Sequence, residues 1–87
     1  MSFLEAAGNR MKMKQALNEK WKELFEIEED VDDDLSFFDI GGNSLTAGIL
    51  FSDIESQLDI KMNVGDIYDH DTIDSLSSYI VTCLGKH

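Results

Sequence analysis

The sequence predicts an all-α domain: a small four-helix bundle with three longer helices, one short helix and a long loop between the first two. Three stretches repeat apolar residues at intervals of three and four, which places them on one face of a helix. The 87 residues, 43% of them hydrophobic, suffice for one domain with one modest core. We predict a tail at residues 1–11, a helical domain at residues 12–84 and a short end at residues 85–87.

The first helix is predicted over residues 12–26, because apolar side chains recur there on one face and charged ones fill the rest. Its core face consists of Met13, Ala16, Leu17, Trp21 and Leu24. In the preceding tail, Ser2 and Glu5 have the spacing of a capping box, but Gly8 and Asn9 interrupt any helix. We therefore expect a loose tail or a short frayed turn before the first helix.

A long connection follows at residues 27–43, and its first half, residues 28–34, is strongly acidic. A calcium-binding EF-hand loop starting at Asp30 would place Leu35 at the turn glycine and Gly41 at the bidentate glutamate, so that template fails. The acidic half is interpreted as a solvated loop. Apolar side chains should pin the second half to the core, namely Leu35, Phe37, Phe38 and Ile40.

The second helix is predicted over residues 44–58. Its core face consists of Ala47, Leu50, Phe51, Ile54 and Leu58. Leu45 and Ile49 lie on nearly the opposite side, beside Asp53, and two apolar residues outside the core face suggest a docking patch. The alternative is that Leu45 tucks under the preceding loop and Ile49 is an ordinary exposed residue. The sequence leaves both interpretations open.

Residues 59–71 form a connector in which Val64, Ile67 and Tyr68 fit one short helix. The last helix is predicted over residues 72–84, capped by Asp71 or Thr72 and stopped by Gly85. Its core face consists of Ile73, Leu76, Ile80 and Leu84. The single cysteine, Cys83, cannot form an internal disulfide and is expected to be a buried structural residue on that face.

The junction between the long loop and the second helix carries the most distinctive pattern. Two glycines, Gly41 and Gly42, allow a tight or left-handed backbone, and Asn43 is a good helix cap. Ser44 then falls in the first helical turn, where backbone N–H groups and the helix dipole favour an anion such as a phosphate on its hydroxyl. The residues themselves thus indicate a displayed serine in an anion-friendly place.

Residues 37–45 read Phe-Phe-Asp-Ile-Gly-Gly-Asn-Ser-Leu, which resembles the phosphopantetheine attachment motif of carrier proteins. The form is most similar to peptidyl carrier (thiolation) domains of nonribosomal peptide synthetases, and the similarity covers about residues 12–84. It implies the four-helix fold of the acyl and peptidyl carriers. It also implies that Ser44 carries 4′-phosphopantetheine from coenzyme A, whose thiol holds aminoacyl, peptidyl or acyl groups as thioesters. Gly41, Gly42, Asn43 and Leu45 complete the attachment motif.

The resemblance further implies a non-catalytic carrier that partner enzymes use as a substrate. Those partners are a phosphopantetheinyl transferase, an adenylation enzyme or acyl ligase, and condensation, tailoring or thioesterase enzymes. Candidate docking residues on and after the second helix are Leu45, Ile49, Asp53, Val64, Ile67 and Tyr68. Asn63 and Asp71 stand where many relatives have proline, which bears on loop rigidity rather than on the fold.

Charge narrows the remaining partner classes. The net charge is −11, from 18 acids against 7 bases, which excludes nucleic acid and anionic membranes as expected partners. The sequence has no apolar run long enough to span a bilayer and no signal-peptide core, so a cytoplasmic protein is expected. Because it opens with Met1 and stops just after the last helix, we expect a free-standing monomer, although an excised module domain would look similar. No metal-ligand spacing occurs, and His70 with its neighbouring aspartates is interpreted as a polar turn.

Three alternatives remain open. Within the carrier class, a polyketide or fatty-acyl carrier competes with the peptidyl type; Gly41 and Gly42 favour the peptidyl type, and the acidic composition mildly favours the other. From another class, a helical interaction module without a prosthetic group would use the same residues only to start a helix. A small hydrolase is disfavoured, because the segment around Ser44 lacks the final glycine of the esterase elbow.

Overall fold

A computed structural model describes residues 1–85 and confirms the all-helical prediction. It contains three α-helices, α1 (Arg10–Phe25), α2 (Ser44–Leu58) and α3 (Ile73–Leu84), and no strand within that range. The short helix expected between the second and third is a 3₁₀ helix, Val64–Tyr68. Of the short end expected at residues 85–87, Gly85 is the C-cap of α3, and residues 86 and 87 lie outside the described residues.

The helix ends follow from local capping. Asn9 caps α1 by accepting a hydrogen bond from the Lys12 N–H at 3.0 Å, so the helix begins two residues earlier than predicted. The first two α-helices end at residues with left-handed backbone, Glu26 (φ 54°) and Asp59 (φ 53°). Thr72 caps α3, as one of the two predicted candidates. Capping and periodicity together therefore account for the positions of all three α-helices.

Residues 3–8 form turns, so the turn is the one found of the two forms expected for this segment, and it is packed against the core rather than frayed. Phe3 and Ala6 are buried in the core, and the Phe3 N–H donates to the Gln57 side-chain oxygen at 2.8 Å, near the end of α2. Ser2 and Glu5 do form the reciprocal bonds of a capping box, but around a turn rather than a helix. The segment is ordered because its two apolar side chains, three residues apart, both reach the core.

The core lies between the predicted faces of the three α-helices. The predicted stripe of α2 is buried throughout, as is that of α1 except for Leu24, which is partly buried. In α3 the buried set is Ile73, Leu76, Ser77 and Ile80, with Leu84 at the edge. Cys83 is only half-buried, so the prediction of a buried cysteine is wrong. The unpredicted Ser77 satisfies its hydroxyl by donating to the Asp74 carbonyl at 2.8 Å.

The loop between α1 and α2 divides into two parts, which we call the acidic segment (residues 28–34) and the aromatic segment (residues 35–43). The acidic segment is exposed apart from Val31. Its carboxylates meet lysines of α1, Asp30 with Lys22 at 3.1 Å and Asp33 with Lys14 at 3.3 Å. Within residues 1–85 no cluster of metal-ligating side chains occurs, and no helix is both long and apolar enough to cross a membrane.

Candidate functional site

The aromatic segment is fixed to the body of the molecule through Phe37. This side chain is fully buried and lies edge-on to Trp21 and Phe25 of α1, with ring centroids 5.1 and 5.2 Å apart. The Phe37 N–H donates to the Asp71 carbonyl at 2.6 Å, which joins the segment to the residues before α3. The predicted pinning of this half of the loop is therefore confirmed, with Leu35, Phe38 and Ile40 partly buried around Phe37.

The two glycines before the helix are needed for different reasons. Gly41 has φ 102°, in the left-handed region that favours glycine. Gly42 lies against Phe37, where an added Cβ would overlap both the ring and the carbonyl, and its N–H donates to that carbonyl at 3.0 Å. The Gly-Gly pair thus allows the chain to turn over the Phe37 ring and enter α2 directly.

Asn43 caps α2 as predicted, and it also occupies most of the helix N-terminus. Its side-chain oxygen accepts from the N–H groups of Leu45 and Thr46 at 2.9 and 3.0 Å, while the Thr46 hydroxyl accepts from the Asn43 N–H at 2.9 Å. An anion at this end of α2 would therefore interact with the helix dipole, but the N–H groups of Leu45 and Thr46 already donate to Asn43. The helix start thus offers an anion fewer N–H donors than the sequence suggested.

Ser44 is the first residue of α2 and is exposed. Its hydroxyl makes no hydrogen bond with any residue in the part of the chain that the structure describes. His70 is engaged elsewhere, since its Nδ1 lies 2.8 Å from the Ser75 hydroxyl and its ring stacks on Tyr79 with centroids 4.3 Å apart. The Ser44 hydroxyl is thus accessible, and His70 does not act as a base for it.

Two apolar side chains stand exposed one and five residues after Ser44. Leu45 is 75% exposed and Ile49 is 50% exposed, so the interpretation that Leu45 tucks under the loop is wrong. Between them Gly48 borders open space, because an added Cβ would meet no atom within 4 Å. The outer face of α2 beside Ser44 is therefore both apolar and unobstructed.

Two of the three docking residues predicted in the 3₁₀ helix are exposed. Tyr68 is 64% exposed and stacks on Phe38 of the aromatic segment, with centroids 5.2 Å apart. Val64 is also exposed. Ile67, however, is fully buried, so its assignment as a docking residue is wrong. Adjacent residues of a 3₁₀ helix lie about 120° apart around its axis, so Ile67 faces the core while Tyr68 faces outward.

Asp53 does not simply border the exposed apolar face. Its carboxylate lies 3.4 Å from the Lys20 Nζ of α1 and accepts a hydrogen bond from Gln57 at 3.1 Å. These contacts give Asp53 a structural role between α1 and α2, which the spacing along α2 alone could not reveal.

Sequence reasoning missed the polar contacts that hold the 3₁₀ helix against α3. The Tyr79 hydroxyl donates to Asp66 at 2.6 Å, and this bond is the main reason that the pKa of Tyr79 is raised well above its usual range. Asp66 also accepts from the Asn63 N–H at 3.2 Å, which completes a capping box. The three-residue spacing of Asn63 and Asp66 could have predicted this capping box from the sequence.

The geometry can now be compared with known proteins. A family model described as "Phosphopantetheine attachment site" matches residues 15–80, a span that includes the aromatic segment, Ser44 and the 3₁₀ helix. The chain belongs to this family. Its prosthetic group is therefore 4′-phosphopantetheine, bound covalently, and an exposed hydroxyl free of hydrogen bonds to residues 1–85 fits such a group.

Relatives of this carrier chain occur within very large synthetases. It is 33% identical over 64 residues to bacitracin synthase 1 of Bacillus licheniformis and 34% identical over 76 residues to the nonribosomal peptide synthetase kk1B of Curvularia clavata. These alignments cover 74% and 87% of this chain, but the chain spans only about 1% of the length of either relative. The carrier domain is thus the part that they share.

A solved structure supports the same fold. The chain is similar to the HMG-ACPI domain from the CurA module of Lyngbya majuscula, determined by NMR, with a TM-score of 0.81 and 26% identity. The match covers 92% of this chain and 82% of that domain, so the similarity extends over the whole helical arrangement.

Proposed function

We propose that Ser44 is the attachment residue for 4′-phosphopantetheine and that the chain is a peptidyl carrier in nonribosomal peptide or related secondary-metabolite biosynthesis. The observation that carries the proposal is the exposed Ser44 hydroxyl at the first position of α2, inside the matched family segment. The two synthetase relatives favour the peptidyl type. The similarity to the HMG-ACPI domain from the CurA module leaves the acyl-carrier alternative open.

In this proposal a partner enzyme carries out the attachment, and His70, whose Nδ1 lies 2.8 Å from the Ser75 hydroxyl, takes no part. A phosphopantetheinyl transferase with Mg²⁺ supplies the missing base. A bond forms between the Ser44 oxygen and the phosphorus of the pantetheine phosphate, while the pyrophosphate bond of coenzyme A breaks. Adenosine 3′,5′-bisphosphate leaves, and the serine proton passes to the transferase.

The same arrangement supports a non-catalytic role. When bound, the group supplies a flexible arm with a terminal thiol that holds aminoacyl, peptidyl or acyl cargo as a thioester. The chain's own residues display the arm: Phe37 and Gly42 fix the approach to the helix, and Asn43 satisfies its first N–H groups. We count the 3₁₀ helix as the short third helix of the four-helix bundle expected of the carriers.

Partner enzymes should contact the exposed face made of Leu45, Ile49, Val64 and Tyr68. This face lies beside Ser44, and a small apolar contact permits repeated docking and release. We expect the transferase, an adenylation enzyme or acyl ligase, and condensation, tailoring or thioesterase enzymes to share it. Asp53, which faces Lys20, contributes less than the spacing suggested.

The attachment test is the intact mass of the protein after incubation with coenzyme A, Mg²⁺ and a broad-specificity phosphopantetheinyl transferase. The wild type should gain one pantetheinyl group and Ser44→Ala none, with unchanged melting because the hydroxyl is exposed. Ser52→Ala, which alters another exposed serine of α2, is the matched control and should be modified normally. An unmodified wild type would leave the interaction module as the better interpretation.

The docking face is tested with Ile49→Asp, compared with Ser52→Asp, which adds the same charge on α2 without removing an apolar side chain. We expect Ile49→Asp to raise the KM of the transferase reaction without altering the melting temperature, and Ser52→Asp to behave almost like the wild type. Normal kinetics of a folded Ile49→Asp protein would return Ile49 to the status of an ordinary surface residue.

A further inference from the structure

We propose that Asp71 is a positioning residue for Ser44, acting through the aromatic segment; this inference rests on the proposed function. Asp71 lies between the 3₁₀ helix and α3 and contacts the segment twice. Its carbonyl accepts from the Phe37 N–H at 2.6 Å, and its carboxylate accepts from the Ser36 hydroxyl at 2.7 Å. The second contact is a partly buried, charge-assisted hydrogen bond, the stronger kind.

The Ser36 hydroxyl is fixed from both sides. It donates to Asp71, and it accepts from the Phe38 N–H at 3.2 Å. Each of residues 36–38 therefore has a hydrogen bond that fixes it: Ser36 and Phe37 bond to Asp71 directly, and Phe38 bonds to Ser36. The carboxylate thus orders the start of the turn that leads to Ser44, although Asp71 itself has no contact with that serine.

From Phe37 the contacts continue to the helix. The Phe37 carbonyl accepts from the Gly42 N–H at 3.0 Å, and its ring lies where a Gly42 side chain would be. Because Asn43 and Ser44 follow directly, a shift of the Phe37 backbone moves the start of α2 or breaks the contact at Gly42. Transfer to Ser44 depends on the exact placement of its oxygen, so loss of the carboxylate should reduce turnover more than affinity.

The test compares Asp71→Ala and Ser36→Ala, which remove the contact from opposite sides, with Asp71→Asn, whose side-chain oxygen still accepts from Ser36. Asp69→Ala is the matched control, since Asp69 is an exposed aspartate two residues earlier. Two properties are measured for each variant: amide hydrogen exchange of the unmodified protein, and the kcat and KM of modification by the transferase with coenzyme A.

We expect both alanine variants to speed amide exchange of Phe38, Gly41 and Gly42 by about five- to tenfold, the effect of one lost hydrogen bond, while exchange in the middle of α1 and α3 is unchanged. The kcat of modification should fall about three- to tenfold with KM nearly constant. Asp71→Asn and Asp69→Ala should stay close to the wild type. The double variant Asp71→Ala/Ser36→Ala should lose no more than Ser36→Ala alone, which also removes the bond from the Phe38 N–H.

Three results would overturn the proposal: unchanged exchange at residues 38–42 in both alanine variants, an equal rise throughout the helices, or a loss in Asp71→Asn as large as in Asp71→Ala. Failure of the proposed function looks different, because the wild type would then not be modified at Ser44. In that case Asp71 would have no role in positioning Ser44 for modification, but the amide exchange data would still show whether Asp71 orders the aromatic segment.

Discussion

The acidic and aromatic segments are adjacent parts of one loop, yet they are held by different forces. The acidic segment is exposed apart from Val31, and its lysine ion pairs with α1 contribute little at a surface. It is also tied down by hydrogen bonds of Val31 to α1 and of the Asp33 carbonyl to α3. The aromatic segment is held by the buried Phe37 ring and by backbone hydrogen bonds. The comparison teaches that a buried ring and the hydrogen bonds around it, rather than surface ion pairs, fix the approach to Ser44, and that the acids of the first half mainly keep the loop solvated.

The largest expected effect comes from removing the buried ring. Phe37→Ala should lower the free energy of unfolding by about 3–5 kcal/mol, the usual loss for a buried phenylalanine. Urea unfolding monitored by circular dichroism measures it. The matched variant is Val31→Ala, which truncates the buried apolar residue of the acidic segment and should cost clearly less. Equal losses would remove the distinction between the segments.

A smaller effect is expected where the backbone passes over that ring. Gly42→Ala should destabilise the protein by about 1–3 kcal/mol, because the new Cβ would overlap Phe37. Gly48→Ala, in the open middle of α2, should instead stabilise it by about 0.5–1 kcal/mol through helix propensity. Thermal melting of the two variants gives the sign of each change. A neutral Gly42→Ala protein would show that the segment shifts easily.

The ion pairs that join α1 to the acidic segment and to α3 should make the stability of the protein depend on pH. Lys14 bridges Asp33 and Asp74, at 3.3 and 2.8 Å, and its hydrogen bond is the main cause of the lowered pKa of Asp74, with Arg10 adding to it. A carboxyl whose pKa is lowered by folding stabilises the protein above its unfolded value, near 3.8, and this contribution disappears as pH falls through the folded value.

The comparison of wild type with Asp74→Asn isolates this contribution. The wild type should melt higher near pH 6, and the difference should shrink steadily once the pH drops below about 4. Melting curves across that range provide the measurement. A difference that is constant with pH would assign the effect of Asp74 to packing rather than to its charge.

The smallest effects are expected among the exposed acids. Asp34→Asn should change stability by less than about 0.5 kcal/mol, since Asp34 is exposed and forms no ion pair with residues 1–85. Asp30→Asn, which breaks the pair with Lys22, should cost at most about 1 kcal/mol and lose its effect in high salt. If Asp34→Asn proved the more damaging, the ion pair of Asp30 would not be the main contribution of these exposed acids to stability.

The features that could be predicted from the sequence are those set by residues close together in the chain. The buried stripe of α2 and its Asn43 cap follow from spacing within one helix, so both were predictable and both are confirmed. The burial of Phe3 and the contact of Asp53 with Lys20 depend on residues that are distant in sequence. The spacing of apolar residues within one helix cannot predict such contacts. Ile67 was misassigned because one 3₁₀ turn is too short to define a face. The site motif was readable for the same reason: residues 37–45 are contiguous.

The lone tryptophan has a practical consequence that follows from its place in the core. Trp21 is fully buried, its ring is edge-on to Phe37, and its indole N–H has no hydrogen-bond partner among residues 1–85. Its fluorescence is therefore a built-in optical reporter on the ring that supports Ser44. An enzyme that displaces the aromatic segment when it docks would change the emission of Trp21, so docking could be followed in real time without attaching a dye.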